Sequence, residues 1–154
     1  MNEPGSKPRL RAFAAVLLLG GCALQALNPD MTSASDTSRK ELTCTLLSNC
    51  VDSIGTGGLA PLRYTGTTAQ AIEALRATLT DFFPEARVVR DEALVLDTVF
   101  TTPIGFRDEV EFRIDAQEQR IDFRSRSTFG LFDFGKNRSR MQDVAARFEQ
   151  QNKR

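Results

Sequence analysis

Few side chains in this sequence are capable of covalent or metal chemistry, and three cysteines stand out among them. The 154-residue chain contains Cys22, Cys44 and Cys50, and it contains no histidine. The missing imidazole excludes the common histidine-based triads and removes the most frequent general base. Cys44 and Cys50, with no histidine and no further cysteine beside them, do not form a zinc site. We therefore predict no metal and no cofactor, which leaves acylation or disulfide formation for the thiols.

Cys22 follows a segment that is typical of an export signal. Three bases within residues 1–11 precede an uncharged apolar run at 12–20. Nine residues cannot span a hydrocarbon core of about 30 Å, which takes about 20 helical residues, but they suit the centre of a secretory signal peptide. The run ends in Leu19-Gly20-Gly21-Cys22, which resembles a bacterial lipobox. That resemblance implies cleavage before Cys22 and attachment of diacylglycerol to its thiol.

This interpretation divides the chain into three parts. Residues 1–21 are predicted to be the lipoprotein signal peptide, 22–41 the lipidated N-terminus with a flexible, Ser/Thr/Asp-rich tether, and 42–154 a single globular domain. Ala23 stands where an aspartate would retain a lipoprotein in the inner membrane, so we expect the periplasmic face of the outer membrane. The alternatives are an ordinary signal peptide, or a short buried helix with a core cysteine.

The charge balance and the cysteine count limit the possible partners. Residues 1–21 hold three bases and one acid, so the remaining chain has 17 basic and 19 acidic side chains and a net charge of −2. This balance excludes a broadly basic nucleic-acid binder. The expected partners are a membrane, reached through the lipid anchor, and an unidentified envelope protein or small ligand. With Cys22 acylated, Cys44 and Cys50 remain as a pair for a disulfide in an oxidising compartment; the alternative is two free buried thiols.

The fold that must position these residues is predicted from hydrophobic periodicity. Capping-box spacing at Thr67 and Gln70, followed by Ile72, Leu75, Leu79 and Phe82, predicts a helix over 67–83. The other predicted elements are strands Leu62–Tyr64, Arg87–Arg90, Leu94–Thr101, Glu109–Asp115 and Arg120–Arg126, a polar turn at Asp91-Glu92, and a helix over 136–150. Their order is β-α-β-β-β-β-α. We predict an α+β fold with a single antiparallel sheet, two helices packed on one face, and a disulfide-pinned loop over 42–60 before it.

The last predicted hairpin contains enough charge to determine its own register. When partner numbers sum to 235, apolar residues face each other and four opposite charges align: Asp115 with Arg120, Arg113 with Asp122, Glu111 with Arg124, and Glu109 with Arg126. A shift of two residues in either direction places like charges opposite each other, which is unfavourable. Arg124 and Arg126 are therefore interpreted as a solvated row of charges more readily than as an anion site.

The approach to the last helix contains the candidate site residues. Residues 129–135 combine aromatic and aliphatic side chains with two glycines, so this loop either plugs the core or lines a groove. Asp133 and Asn137 lie where side chains cap a helix N-terminus, and Arg138 adds positive charge there. These three residues are candidates for binding a carboxylate, phosphate or lipid headgroup. The alternative is structural: Asp133 caps the helix and pairs with Arg138.

Several segments together resemble the family of the domain of unknown function 1499 (DUF1499). They are Cys44 and Cys50 with Asn49 and Val51, the run Gly105 to Arg113, Arg124 to Ser127, and Gly130, Asp133 and Gly135 to Arg140. The resemblance covers about residues 42–150. It implies a fold and a location, and because the family has no established activity it supplies no chemistry.

Two classes of function remain. The first is a membrane-anchored exported lipoprotein with a small non-enzymatic domain that binds a ligand or a protein, with a helix-grip lipid- or anion-binding module as its variant. The second is an enzyme that uses aspartate and arginine, for which Asp97 within the apolar strand Leu94–Thr101 is a candidate buried acid. The lack of a nucleophile–base pair favours the first class.

Overall fold

The computed structural model describes residues 39–55 and 58–153. Cys22, the predicted signal peptide and most of the predicted tether lie outside these residues. The elements in the described ranges are β1 Cys50–Asp52, β2 Leu62–Arg63, α1 Thr68–Phe82, β3 Ala86–Glu92, β4 Val95–Thr101, β5 Arg107–Asp115, β6 Arg120–Ser127 and α2 Lys136–Asn152. None of the helices in these ranges has both the length and the apolarity that crossing a bilayer requires.

A single antiparallel sheet carries both helices on one face. Its strand order is β1-β6-β5-β4-β3, and β2 pairs with the same edge of β6 as β1 does, closer to the start of β6. Apolar side chains of α1, α2 and the facing side of the sheet form one buried cluster. A disulfide joins Cys44 and Cys50 and closes the loop before β1. The fold class predicted from the sequence is therefore confirmed.

Two predicted element assignments are wrong. The segment predicted as an irregular loop up to residue 60 contains β1, which pairs with β6 from Cys50 opposite Arg126 to Asp52 opposite Arg124. Three residues are too short to show a strand period, and their partner strand lies far away in the sequence. The predicted turn at Asp91-Glu92 continues β3 instead, and the chain reverses at the next two residues.

Helix α1 begins as its capping-box spacing predicts. Thr67 Oγ1 accepts a hydrogen bond from the Gln70 amide at 3.2 Å, and Gln70 Oε1 accepts one from the Thr67 amide at 2.9 Å. The predicted apolar face is wrong at its end, because Phe82 is 37% exposed whereas Phe83 is buried. Phe83 leaves helical geometry at the C-cap, and its ring meets Phe100 edge-on at 5.8 Å.

The predicted register of the β5–β6 hairpin is confirmed at every position. Phe112 pairs with Phe123 and Ile114 pairs with Ile121, and the four pairs of opposite charge align as expected. Three of those pairs form ion pairs: Arg120 with Asp115, Arg124 with Glu111, and Arg126 with Glu109. Arg124 and Arg126, which the sequence analysis interprets as part of a solvated row of charges, each form one of these ion pairs.

The fourth predicted pair finds other partners. Arg113 is buried and contacts Asp97 of β4 at 2.5 Å. Asp122 is also buried, and its Oδ2 lies 3.1 Å from Nε of Arg120 and 2.9 Å from Nε of Arg39. The prediction considered only two strands, whereas β4 lies on the other side of β5 and supplies a closer carboxylate. Asp97, the candidate acid of an enzyme, is thus the partner of a buried arginine.

The segment before β1 packs against the outer face of the sheet, opposite the helices. Leu42 is fully buried although it is not part of the main core cluster. The Cys44 amide donates to Asp52 Oδ2 at 2.9 Å, and Arg39 reaches Asp122. The described chain therefore begins on the outer face, beside β6.

Candidate binding surface

Three loops meet at one end of the sheet. The β4–β5 loop, residues 102–106, adjoins the β6–α2 loop, residues 128–135, because the start of β5 pairs with the end of β6. The disulfide loop, residues 44–50, reaches the same place because the start of β1 also pairs with the end of β6. The first two loops carry six large apolar side chains that we call the aromatic end: Ile104, Phe106, Phe129, Leu131, Phe132 and Phe134.

The aromatic end is exposed to solvent. Its side chains are between 48% exposed, at Phe106, and 88% exposed, at Phe134, whereas Phe112 and Phe123 of the core are at most 1% exposed. Single exposed apolar residues are ordinary on protein surfaces, but six at one end form a patch of the kind that marks an interaction site. The loop over residues 129–135, which the sequence predicts either to plug the core or to line a groove, thus faces outward from the core.

The rings of the aromatic end are arranged in two pairs. Phe106 stacks on Phe129, with centroids 5.6 Å apart and planes 8° from parallel. Phe132 meets Phe134 edge-to-face at 5.0 Å. Between the two loops lies a cavity of about 370 Å³ lined by Ile104 and all four rings, with Asp108, Asp133 and Lys136 among its polar residues. The pairs define the walls of a shallow apolar recess.

A buried polar cluster centred on Asn137 supports the loop from below. The Asn137 side-chain amide donates to Asn49 O at 3.0 Å, to Ser127 Oγ at 3.1 Å and to Asp133 Oδ2 at 2.8 Å. Its carbonyl oxygen accepts from Ser125 Oγ at 2.6 Å and from Arg140 Nη1 at 2.9 Å. Asn137 and Ser125 are completely buried, so these bonds replace the water that both side chains lose on folding.

Arg140 connects this cluster to the sheet. Its guanidinium forms an ion pair with Asp108 of β5, which is buried, and it lies 4.7 Å from the centre of the Phe100 ring. A buried charge pair needs further hydrogen bonds to offset its desolvation, and Asn137 provides one. Sequence reasoning missed Asp108 and Arg140 as a pair, because they are 32 residues apart and only the fold brings them together.

The predicted site residues separate into two groups. Asp133 and Asn137 are adjacent: Asp133 accepts from the Gly135 amide at 2.9 Å and from the Asn137 amide at 2.8 Å, so its carboxylate satisfies backbone donors at the start of α2. Arg138 points elsewhere and reaches the carbonyl of Gly58 at 3.5 Å. Asp133 therefore has the geometry of a structural cap, whereas the side chain of Asn137 belongs to the buried polar cluster.

The disulfide loop braces the aromatic end. Ser48 Oγ donates to the carbonyl of Leu131, and Asn49 Nδ2 donates to the carbonyl of Gly130 at 2.6 Å. The amide of Asp133 donates back to Ser48 O at 3.1 Å. Three hydrogen bonds therefore tie the two loops, and the Cys44–Cys50 bond fixes the loop that supplies the partners.

Phe134 adopts an unusual backbone conformation. Its φ is +56°, in the left-handed region that side chains other than glycine rarely adopt, and its ring is the most exposed of the aromatic end. Backbone strain of this kind concentrates at functional positions. A bulky, exposed aromatic ring there gains no burial, so folding alone does not explain it.

Two bases flank the aromatic end. Arg107 follows Phe106 at the start of β5, and Lys136 follows the second loop at the start of α2. Both are exposed, and neither forms an ion pair with a described carboxylate. Over the described ranges, no three Cys, Asp or Glu side chains are grouped so that they could hold a metal ion.

The central part of the interface between the helices and the sheet is closely packed. Leu75, Phe112 and Val144 are fully buried in it. The recess at the aromatic end lies outside this interface. Beside this packed part, a cavity of about 470 Å³ lies between α2 and strands β2 and β6, and Leu62, Phe123 and Phe148 are among its lining residues. An apolar cavity between helix and sheet is what a helix-grip module requires, so this alternative stays a prediction.

Comparison with known proteins identifies one family. The family described as "Protein of unknown function (DUF1499)" matches residues 32–148. No curated protein and no solved structure matches the chain.

Proposed function

This chain belongs to the DUF1499 family, and we propose that it is an exported lipoprotein whose domain binds an envelope component through the aromatic end. In this proposal Cys22 carries the lipid, and the chain between it and Arg39 connects the anchor to the domain. The proposed location is the periplasmic face of the outer membrane.

The observation that carries the binding function is the exposure of six apolar side chains on a braced support. Were the loops only a lid on the core, their rings would turn inward, as Phe100 and Phe123 do. They project instead from loops fixed by the buried cluster and by the disulfide loop. A surface held ready in this way loses little entropy when a partner binds.

The polar groups around the recess favour binding over catalysis. Asp108 is held by Arg140, and Asp133 accepts hydrogen bonds from the start of α2. Both carboxylates already serve the fold, whereas a general base must be available to a substrate proton. The proposed domain is therefore a binding module.

The anchor is tested by labelling cells with a radioactive fatty acid. Label should enter the native chain and be absent from Cys22→Ser, while the paired variant Cys44→Ser/Cys50→Ser should retain it. Label that persists in Cys22→Ser would contradict the lipoprotein assignment.

The surface is tested by chemical crosslinking in intact envelopes. Phe132→Ser should abolish the crosslinked products of the native chain. The matched control is Val89→Ser, which removes an exposed apolar side chain from β3, away from the aromatic end. Equal yields from the two variants would reject the aromatic end as the binding surface.

A further inference from the structure

The aromatic end has the composition of a surface that enters a bilayer interface. Each of its two loops presents an aromatic ring and then a base: Phe106 before Arg107, and Phe134 two residues before Lys136. Apolar and aromatic side chains bury themselves at the boundary of headgroups and acyl chains, and bases beside them face anionic headgroups. We propose that the aromatic end docks into the headgroup region of an anionic phospholipid bilayer, an inference that rests on the proposed lipid anchor and names the component that is bound.

Charge complementarity supports this occupant. Arg107 and Lys136 are exposed, and neither has an ion-pair partner among the described carboxylates. The nearby acids Asp108 and Asp133 are already engaged, by Arg140 and by amides of α2. The rim of the surface therefore presents free positive charge, although the predicted mature chain is acidic as a whole. Anionic lipid attracts such bases when they lie within a Debye length of the surface.

The position of Arg39 and the length of chain between it and Cys22 are compatible with docking. The described chain begins at Arg39, which contacts Asp122 in β6, and β6 runs from there toward the aromatic end. Five residues of strand separate Asp122 from Ser127, or about 17 Å. Seventeen peptide links join Cys22 to Arg39 and span at most about 60 Å. A lipid on Cys22 and the aromatic end thus reach the same membrane surface together.

The shape of the surface favours lipid over a protein groove. The rings form two exposed pairs, one that joins the two loops and one within the second loop, and Leu131 and Phe134 are the most exposed side chains of the second loop. Projecting side chains insert among mobile headgroups without needing a complementary shape. Each inserted ring is expected to raise the equilibrium constant for docking about tenfold.

The chain contains no tryptophan, so one introduced indole reports on its own position. Phe132→Trp places the indole in the aromatic end. Gln117→Trp is the matched control, because it conserves charge and lies in the exposed turn between β5 and β6, at the opposite end of the sheet. Each full-length, acylated variant is reconstituted in vesicles of phosphatidylethanolamine and phosphatidylglycerol, and quenching by brominated acyl chains is measured.

Docking predicts strong quenching and a blue-shifted emission for Phe132→Trp, with neither for Gln117→Trp. Adding Arg107→Glu and Lys136→Glu to Phe132→Trp should reduce the quenching severalfold in these vesicles and leave it unchanged in phosphatidylcholine. Equal quenching of the two indoles, or quenching of neither, would overturn the inference. Protection of the Phe132→Trp indole in native envelopes but not in protein-free vesicles would also overturn it, in favour of a protein partner.

The anchor is measured separately, by the mass of the N-terminal peptide. An unacylated Cys22 would refute the anchor, and docking would then be tested by adding the same vesicles to the unacylated chain. Acylation without quenching refutes docking alone.

Discussion

Replacing Asn137 by alanine tests the structural role assigned to the cluster beneath the aromatic end. The side chain makes five hydrogen bonds, to Asn49, Ser125, Ser127, Asp133 and Arg140. Alanine removes the side-chain carbonyl oxygen that accepts from the Ser125 hydroxyl and from one donor of the Arg140 guanidinium. The Ser125 side chain is fully buried. Each buried polar group left unsatisfied costs about 1–3 kcal/mol, so for these two groups we expect a loss of about 2–6 kcal/mol in the free energy of unfolding. That loss is a large part of the roughly 5–15 kcal/mol that stabilises a typical domain.

The assay is urea unfolding followed by far-ultraviolet circular dichroism. Gln142→Ala is the control, because Gln142 lies on the exposed side of the same helix, and it should change stability by no more than about 0.5 kcal/mol. The cluster also predicts coupling: Asn137→Ala and Asp133→Ala, whose side chains are 2.8 Å apart, should be non-additive by about 0.5–3 kcal/mol.

Either of two results would refute this reasoning. A loss below about 1 kcal/mol for Asn137→Ala would mean that water replaces the lost partners at no penalty. Additive effects of Asn137→Ala and Asp133→Ala would mean that the two side chains do not act as one cluster. In both cases the structural role assigned to Asn137 would fail.

Three further predictions concern the supports of the sheet and its loops. Cys44→Ala/Cys50→Ala should lower the free energy of unfolding by about 2 kcal/mol, which is the chain-entropy estimate for closing a ring of seven residues. The same variant should speed amide hydrogen exchange in residues 129–134. Unchanged exchange there would disprove that the disulfide loop braces the aromatic end. Phe134→Gly should leave the free energy of unfolding unchanged or raise it by up to about 1 kcal/mol, as measured by urea unfolding. The left-handed backbone disfavours a residue with a side chain by about 1–2 kcal/mol, but the greater entropy of glycine in the unfolded state offsets part of this gain. A clear destabilisation would show that the ring supports the fold. The hydrogen bonds from Arg76 hold the pKa of Asp91 below its usual range, so Arg76→Gln should raise that pKa in a carboxyl NMR titration. Because the folded-state pKa is depressed, the stabilisation from this pair is present above the ordinary aspartate pKa and disappears as the pH falls through the folded value; a variant equally destabilised in strong acid would contradict this.

The features that the sequence predicted correctly depend mostly on neighbouring residues. The β5–β6 register follows from apolar alternation and charges within one hairpin, and Thr67 with Gln70 is enough to define the start of α1. Features that depend on distant strands were missed. Strand β1 exists only because β6 offers it an edge, and Arg113 contacts Asp97 only because β4 adjoins β5.

The candidate surface was predicted only in part, for a physical reason. The apolar loop over 129–135 is visible in the sequence, but its direction depends on hydrogen bonds from the disulfide loop, on Asp133 at the start of α2, and on left-handed turns at Gly130 and Gly135. Ile104 and Phe106 join this surface through the pairing of β5 with β6, which brings together two loops more than 20 residues apart. Neither the direction of the loop over 129–135 nor its proximity to Ile104 and Phe106 can be predicted from the local sequence pattern alone.

Site-specific photocrosslinking in living cells tests the central claim most directly, namely that the aromatic end is the surface through which the domain contacts the envelope. A photoreactive phenylalanine analogue is placed at position 132 and, as the control, at position 117 of the full-length chain. The account predicts crosslinks to a lipid or an envelope protein from position 132 and none from position 117. Crosslinks of equal yield from both positions, or none from position 132, would contradict it.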